Sequence, residues 1–204
     1  MEYSYSVEEA TQNLYGRLAE ATGWKLLKSQ RCLKNTVKEL VFEIDFFSSK
    51  WNLSHQSVEV NAEFRLWNKS YGKLPVDNVV ASMPYNPDGG YWYDITTEEK
   101  LNQVLAELSK RINETAVNLC ERFEEDRRAA AEYLLECFDE YNVHLDFIAD
   151  ELGIDAIKDK TRDICGTLSD EERRQIKDYK NGARNKTWML NRCNLKYIVD
   201  NDLI

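Results

Sequence analysis

Residues 58–66 alternate without interruption. Val58, Val60, Ala62, Phe64 and Leu66 occupy one parity, and Glu59, Asn61, Glu63 and Arg65 the other. Side chains of a strand point to opposite faces with a period of two, so this run dictates a β-strand with one buried and one wet face. The preceding segment repeats the pattern: Leu40, Phe42, Ile44 and Phe46 against Glu43 and Asp45. Residues 24–33 alternate more weakly, with Trp24, Leu26 and Cys32 on one parity, and a turn is expected near Asn35. Short connections between consecutive strands favour an antiparallel meander. Three strands are read this way. Val79, Val80 and Met83 offer an added edge strand, so the count extends to four or five.

Helical periodicity brackets the meander. Ser6 followed by Glu9 is a capping box, and Ala10, Leu14, Leu18 and Ala21 recur behind it until Gly23. Thr96 and Glu99 read as a second box, opening a long helix to about Phe138 whose stripe includes Leu101, Val104, Leu108, Ile112, Leu119 and Phe123. The polar run Glu124–Arg128 interrupts that stripe and predicts a bend. Beyond Asn142 the chain reads as a small helical tail: one helix ended by Gly153, one over 155–165, and one opened by Ser169 and Glu172 and stopped at Asn181-Gly182. From Arg184 a final segment holding Trp188, Met189, Leu190, Tyr197, Ile198 and Val199 is expected to fold back. The fold class is α+β, with an N-terminal helix, the meander, a long helix packed on the sheet and the helical tail. The expected division is a helix–meander–helix domain over 1–140 and a C-terminal helical subdomain over 141–204.

Function is constrained mainly by exclusion. The net charge of −9 argues against a general nucleic-acid binder, because phosphate contacts need a basic surface, and it suits a basic protein partner. The N-terminal residues show no basic segment followed by an apolar run, and no stretch approaches the length of a membrane span, so a cytoplasmic protein without membrane contact is expected. The five cysteines form no CxxC pair and indicate neither a zinc site nor a disulfide framework. Glycine-rich phosphate loops and HExxH are absent from the sequence, and no cofactor is expected.

The runs GWKLLKSQRCLK, FEIDFFSSKWN and VEVNAEFRLW, within residues 24–70, resemble a family of small bacterial domains of unknown function found near toxin–immunity loci. The shared feature is a serine-containing SSK-W/Y-N segment between two alternating strands. The resemblance implies a helix–meander–helix fold and an immunity-type binding role, and brings no catalytic residues with it.

Four groups of side chains could carry function. Glu43, Asp45, Glu59 and Glu63 lie on the polar parity and can cluster on adjacent strands. The order helix, three strands, helix also resembles the core of restriction-endonuclease-like nucleases. That resemblance would make Asp45 and the Glu63-Phe64-Arg65 element a Mg²⁺ site, with Arg65 replacing the family's water-orienting lysine. The alternative is a solvated face on which Lys25, Arg31 and Arg65 pair with the acids. His55, among Ser48, Ser49 and Ser54, and His144 are candidates for acid–base chemistry, but no nucleophile elbow accompanies them. Tyr85, Tyr91, Trp92 and Tyr93 sit in a Gly/Pro-rich loop, with Trp51 and Trp67 as candidate neighbours; loop aromatics either make an interface or fold inward to seal a sheet edge. Finally, residues 171–197 hold eight basic against three acidic residues, including Arg173, Arg174, Lys177, Lys180, Arg184 and Lys186. This patch contacts nucleic acid, docks on the acidic body or simply faces water. The leading expectation is a non-enzymatic binding protein with a basic protein partner, acting through acidic side chains and loop aromatics. A nuclease-like enzyme using Asp45 and Glu63, and a nucleic-acid contact through the basic tail, are the alternatives.

Overall fold

The computed structural model describes residues 4–71, 78–86, 90, 92–182 and 193–203. It is an α+β fold in which helices pack on an antiparallel sheet. Helix α1 (Val7–Thr22) begins at the Ser6–Glu9 capping box, with both reciprocal hydrogen bonds formed, and ends at Gly23, whose φ of 70° is the left-handed conformation that glycine reaches without a Cβ clash. Strands β1 (Lys25–Leu27), β2 (Cys32–Val37), β3 (Leu40–Ser48), β4 (Glu59–Asn68) and β5 (Val79–Tyr85) follow in spatial order, and the short β6 (Tyr93–Asp94) pairs with the start of β4.

The expected single strand over 24–33 is in fact two. A turn over Lys28–Arg31 separates β1 from β2, and β2 reaches β3 through the two-residue turn Lys38-Glu39. Asn35, the expected turn residue, lies inside β2, opposite Phe42, and its side-chain amide donates to Cys120 Sγ. Neither turn carries the usual glycine signal. Arg31 and Lys38 instead adopt φ values of 53° and 54°, which few non-glycine residues do. Pro84 lies in β5, the edge strand beside β4, where its missing N–H costs no ladder bond.

Register gives each face its identity. Phe42 is opposite Leu66, Ile44 opposite Phe64 and Phe46 opposite Ala62, all on one face. The helices pack there. Tyr15 of α1 stacks on Phe46 with ring centroids 4.2 Å apart. The long helical run is α2 (Glu98–Ile112), a π turn at Asn113–Val117, α3 (Asn118–Glu125) and α4 (Arg127–Glu136). Its true N-cap is Thr97, whose side chain accepts from the Lys100 N–H. Thr96, the expected cap, is buried and accepts from the Val58 N–H at 2.9 Å. The predicted bend falls at Asp126, whose extended backbone breaks the helix while its carboxylate caps α4 by accepting from Arg128 and Ala129.

Helix α5 (Leu145–Leu152) ends at Gly153 as expected, and Ile154–Ile157, α6 (Lys158–Gly166), α7 (Asp170–Lys180) and α8 (Cys193–Asp200) follow among the described residues. Tyr141, Val143, Phe147, Ile148, Ile157 and Ile198 belong to the same core as the sheet. Leu168, Ile176, Leu195 and Val199 form a smaller satellite core. Trp188, Met189 and Leu190 lie outside the described residues. Arg127 of α4 ties the layers together, donating to Glu151 of α5 at 2.6 Å and to Glu39 of the β2–β3 turn.

Phe64 is fully buried between Phe42 and Tyr141. Truncating it to alanine removes ring contacts to both layers, and Phe64→Ala is expected to cost about 3–5 kcal/mol of stability in urea denaturation. A loss below about 1 kcal/mol would show that the two layers do not unfold as one.

Candidate functional site

The second sheet face is built by the opposite parity of the same strands. Cys32, Asp45, Glu63 and Pro84 form one row across it; Lys34, Glu43, Arg65 and Ser82 form the next. Cys32 and Val41 are buried on this side but lie outside the core shared with the helices. Among the described residues, the ion pairs of these two rows run from strand to strand, and Cys32 Sγ also lies 3.9 Å from Gln30 Oε1 of the β1–β2 turn. Lys34 Nζ is 3.3 Å from Glu43 Oε1. Arg65 Nε donates to Asp45 at 2.6 Å, and its guanidinium lies 4.9 Å from the centroid of the Trp67 ring.

This arrangement locates each residue of the carboxylate group. Asp45 and Glu63 are direct cross-strand neighbours, which brings two acids together. Arg65 occupies the acid side of Asp45, supplying a positive charge where a cation would otherwise sit. Among the described residues, no group of three or more His, Cys, Asp or Glu side chains is arranged to hold a metal ion. The ion pairs are Arg65 with Asp45 and Lys34 with Glu43; Lys34 was not among the cations expected to pair here. Its role is visible only once β2 is known to run to Val37, because the register Lys34–Glu43 depends on it. Burial raises the Asp45 carboxyl above its usual range, and the Arg65 contact only partly offsets it. Burial raises Glu63 too, with Arg65 opposing and Asp45 reinforcing the shift. Burial, then the Glu43 and Asp45 charges, push the Cys32 thiol up to about 12, so it is held as a thiol rather than a nucleophilic thiolate.

The aromatic group divides. Tyr85 is fully buried, its hydroxyl 2.6 Å from that of Thr115 in the π turn. Tyr93 is buried as well; it donates to Glu107 at 2.9 Å and accepts from Arg111 at 2.8 Å. Both were expected among the loop contacts, and both instead seal the sheet, because their strands place them on the helix-facing parity. Tyr91 lies outside the described residues. Trp92, the residue before β6, is 39% exposed. Phe47, opposite Asn61 on the polar side, is 44% exposed. Trp51 is 75% exposed in the loop after β3, with Lys50 Nζ 5.0 Å from its ring centroid, and Leu53 beside it is 57% exposed. Phe47 and Leu53 escaped the sequence reading: Phe47 follows Phe46 directly, and which of the pair points outward is decided by register.

The histidines are held by backbone. His55 Nδ1 is 2.6 Å from the Ser4 carbonyl oxygen, a contact that places the proton on Nδ1. Ser48 accepts from Asn52, Ser49 from the Trp51 N–H, and Ser54 from the Val7 N–H. His144 is the N-cap of α5, donates its N–H to the Val80 carbonyl, and has its imidazole pKa lowered by burial. In the basic group, Arg173 donates to the Cys165 carbonyl, Arg174 pairs with Glu171, and Lys180 lies 3.0 Å from Asp202. Lys177 is exposed on α7; Arg184 and Lys186 lie outside the described residues. Among the described residues, no helix is long and apolar enough to cross a membrane.

Protein-family models, characterised proteins and solved structures show no match to this chain.

A carboxyl whose pKa is raised on folding favours the folded state below the ordinary carboxylate range, and that contribution is lost as pH rises through the folded value. Among the described residues Glu63 makes no hydrogen bond or ion pair, so Glu63→Gln isolates this effect. The variant is expected to melt above the parent at neutral pH, with the difference vanishing by about pH 3. Parallel melting curves at both pH values check it; equal melting at neutral pH would contradict the burial of this carboxyl.

Proposed function

We propose that the protein is a binding protein that engages a basic protein partner through the aromatic end of its polar sheet face, in a regulatory or immunity-like role. The observation that carries this reading is the outward placement of Phe47, Trp51 and Trp92 at one end of the sheet, around the β3–β4 loop and the start of β4. A folded chain gains by burying such rings, and large exposed aromatics grouped together mark interaction surfaces. Glu59 and Glu63 share the face with them, and Asp94 lies opposite Glu59. Acidic side chains would steer a basic partner, and the aromatic rings would anchor it.

The pairing of Arg65 with Asp45 weighs against the nuclease-like alternative, because a cation at that carboxylate would have to displace a guanidinium. In the basic tail, Arg173, Arg174 and Lys180 are engaged by the Cys165 carbonyl, Glu171 and Asp202 of the tail itself, which weighs against a nucleic-acid surface.

Trp51→Ala combined with Trp92→Ala tests the proposal. Both side chains are exposed, so the double variant is expected to keep the parent's melting temperature. Bait pull-downs from the native host should recover a basic protein with the parent and lose it with the variant. Affinity for that partner should fall at least roughly tenfold, and association should slow as salt is raised. Equal recovery by parent and variant would overturn this placement of the surface.

A further inference from the structure

A groove of ≈ 670 Å³ runs between the first half of α1, the β1–β2 turn and the β3–β4 loop. Its volume lies in the range of small-molecule sites. Several of its lining groups are hydrogen-bond donors with no acceptor among the described residues. Tyr15 is only 7% exposed, and its hydroxyl is buried with no partner. Stacking on Phe46 fixes the ring, so the hydroxyl cannot turn away to another acceptor. Ser48 and Ser54 also line the groove, and each already accepts a hydrogen bond, from Asn52 Nδ2 at 2.9 Å and the Val7 N–H at 3.2 Å. The proton of each serine hydroxyl is therefore left to donate elsewhere. Lys28 and Arg31 add two cations from the turn, and among the described residues neither has an ion-pair partner. The Arg31 charge lowers the Tyr15 pKa against the burial that raises it to about 12, which puts guanidinium and phenol in one electrostatic environment. One acid, Glu8, also lines the groove, and its carboxylate accepts from Gln12 Nε2 at 2.8 Å. Val7 and Leu26 supply apolar wall, and a Cβ at Gly16 would meet only open space, so the α1 side of the groove leaves room for an organic body.

We propose that this groove binds a small organic phosphate ester, its phosphate held by Arg31, Lys28 and the hydroxyls of Ser48 and Ser54. Two cations and two hydroxyls suit a phosphate monoester better than one carboxylate, because the ester offers three terminal oxygens and close to two negative charges. The site uses none of the exposed aromatics of the proposed protein interface, and each can fail without the other.

Glycerol 3-phosphate is the probe, followed by amide chemical shifts of the ¹⁵N-labelled full chain, with glycerol and inorganic phosphate as controls. Saturable shifts at Ser6–Gly16, Lys28–Arg31 and Ser54 are expected at millimolar probe, none with glycerol, and weaker binding for inorganic phosphate. Arg31 has a φ of 53°, so Arg31→Gly removes the charge while relieving the backbone, and it is expected to fold normally yet lose affinity roughly tenfold. Lys28→Ala removes the second cation lining the groove and should weaken binding several-fold. Absence of saturable shifts, or affinity unchanged in both variants, would overturn the site. Inorganic phosphate binding as tightly as the ester would overturn its assignment to an organic ligand. Sedimentation with phosphatidic acid vesicles separates a soluble ester from a lipid headgroup: retention there without shifts from the free probe would also refute the proposal.

Discussion

Phe42 lies where every layer meets. Its ring packs edge-on against Trp24, beside Phe64 on the neighbouring strand, and against Phe123 of α3, which in turn meets Phe147 of α5. The hydrophobic effect rewards burial of such rings without regard to direction, so direction has to come from the strand. A period of two places Phe42, Ile44, Phe46, Phe64 and Leu66 on one side of the sheet. Helices on that side bury their own stripes against it. A slip of one residue in β3 would bring Glu43 and Asp45 into this core and drive Phe42 out, so register is firmly specified.

The same register creates the polar face. Because the helices pack on the Phe42 side, the charges of β2, β3 and β4 partner one another across strands, as Lys34 does with Glu43 and Arg65 with Asp45. Ion pairs in this setting hold charge in place more than they add stability. Toward the end of β3 the cross-strand ion pairs give way to exposed rings that lack apolar partners. The two proposed binding regions thus follow from one geometry. The aromatic end combines Phe47, on the outward parity of β3, with Trp51 and Trp92 beside the strand ends. The groove beside α1 lies where the β1–β2 turn brings two cations to a helix that carries a buried phenol.

Much of the fold was legible along the chain because its signals are local. The Ser6 and Ser169 capping boxes, Gly23, Gly153 and the alternation of β3 and β4 are decided within a few residues. The interruption at Glu124–Arg128 was legible for the same reason, since Asp126 both ends one helix and caps the next. The misreadings occurred where local preference yields to pairing. Asn35 has turn chemistry but lies in a strand because Phe42 is its partner. Lys38 and Arg31 have no turn chemistry but take left-handed backbone because the hairpins require it. Thr96 was a plausible cap, yet the Val58 N–H claimed its hydroxyl and left the cap to Thr97.

The sequence by itself determined the α+β class, the antiparallel pairing and which parity of each long strand is core, since periodicity and capping act over a few residues and need no distant partner. Only the tertiary structure decided that Tyr85 and Tyr93 face inward while Phe47 and Trp92 face outward, that Arg65 closes on Asp45, and that Tyr15, Arg31 and Ser54 line one groove. These outcomes depend on which strands pair, in what register, and on which side the helices land. They join residues far apart along the chain, and no local signal encodes them.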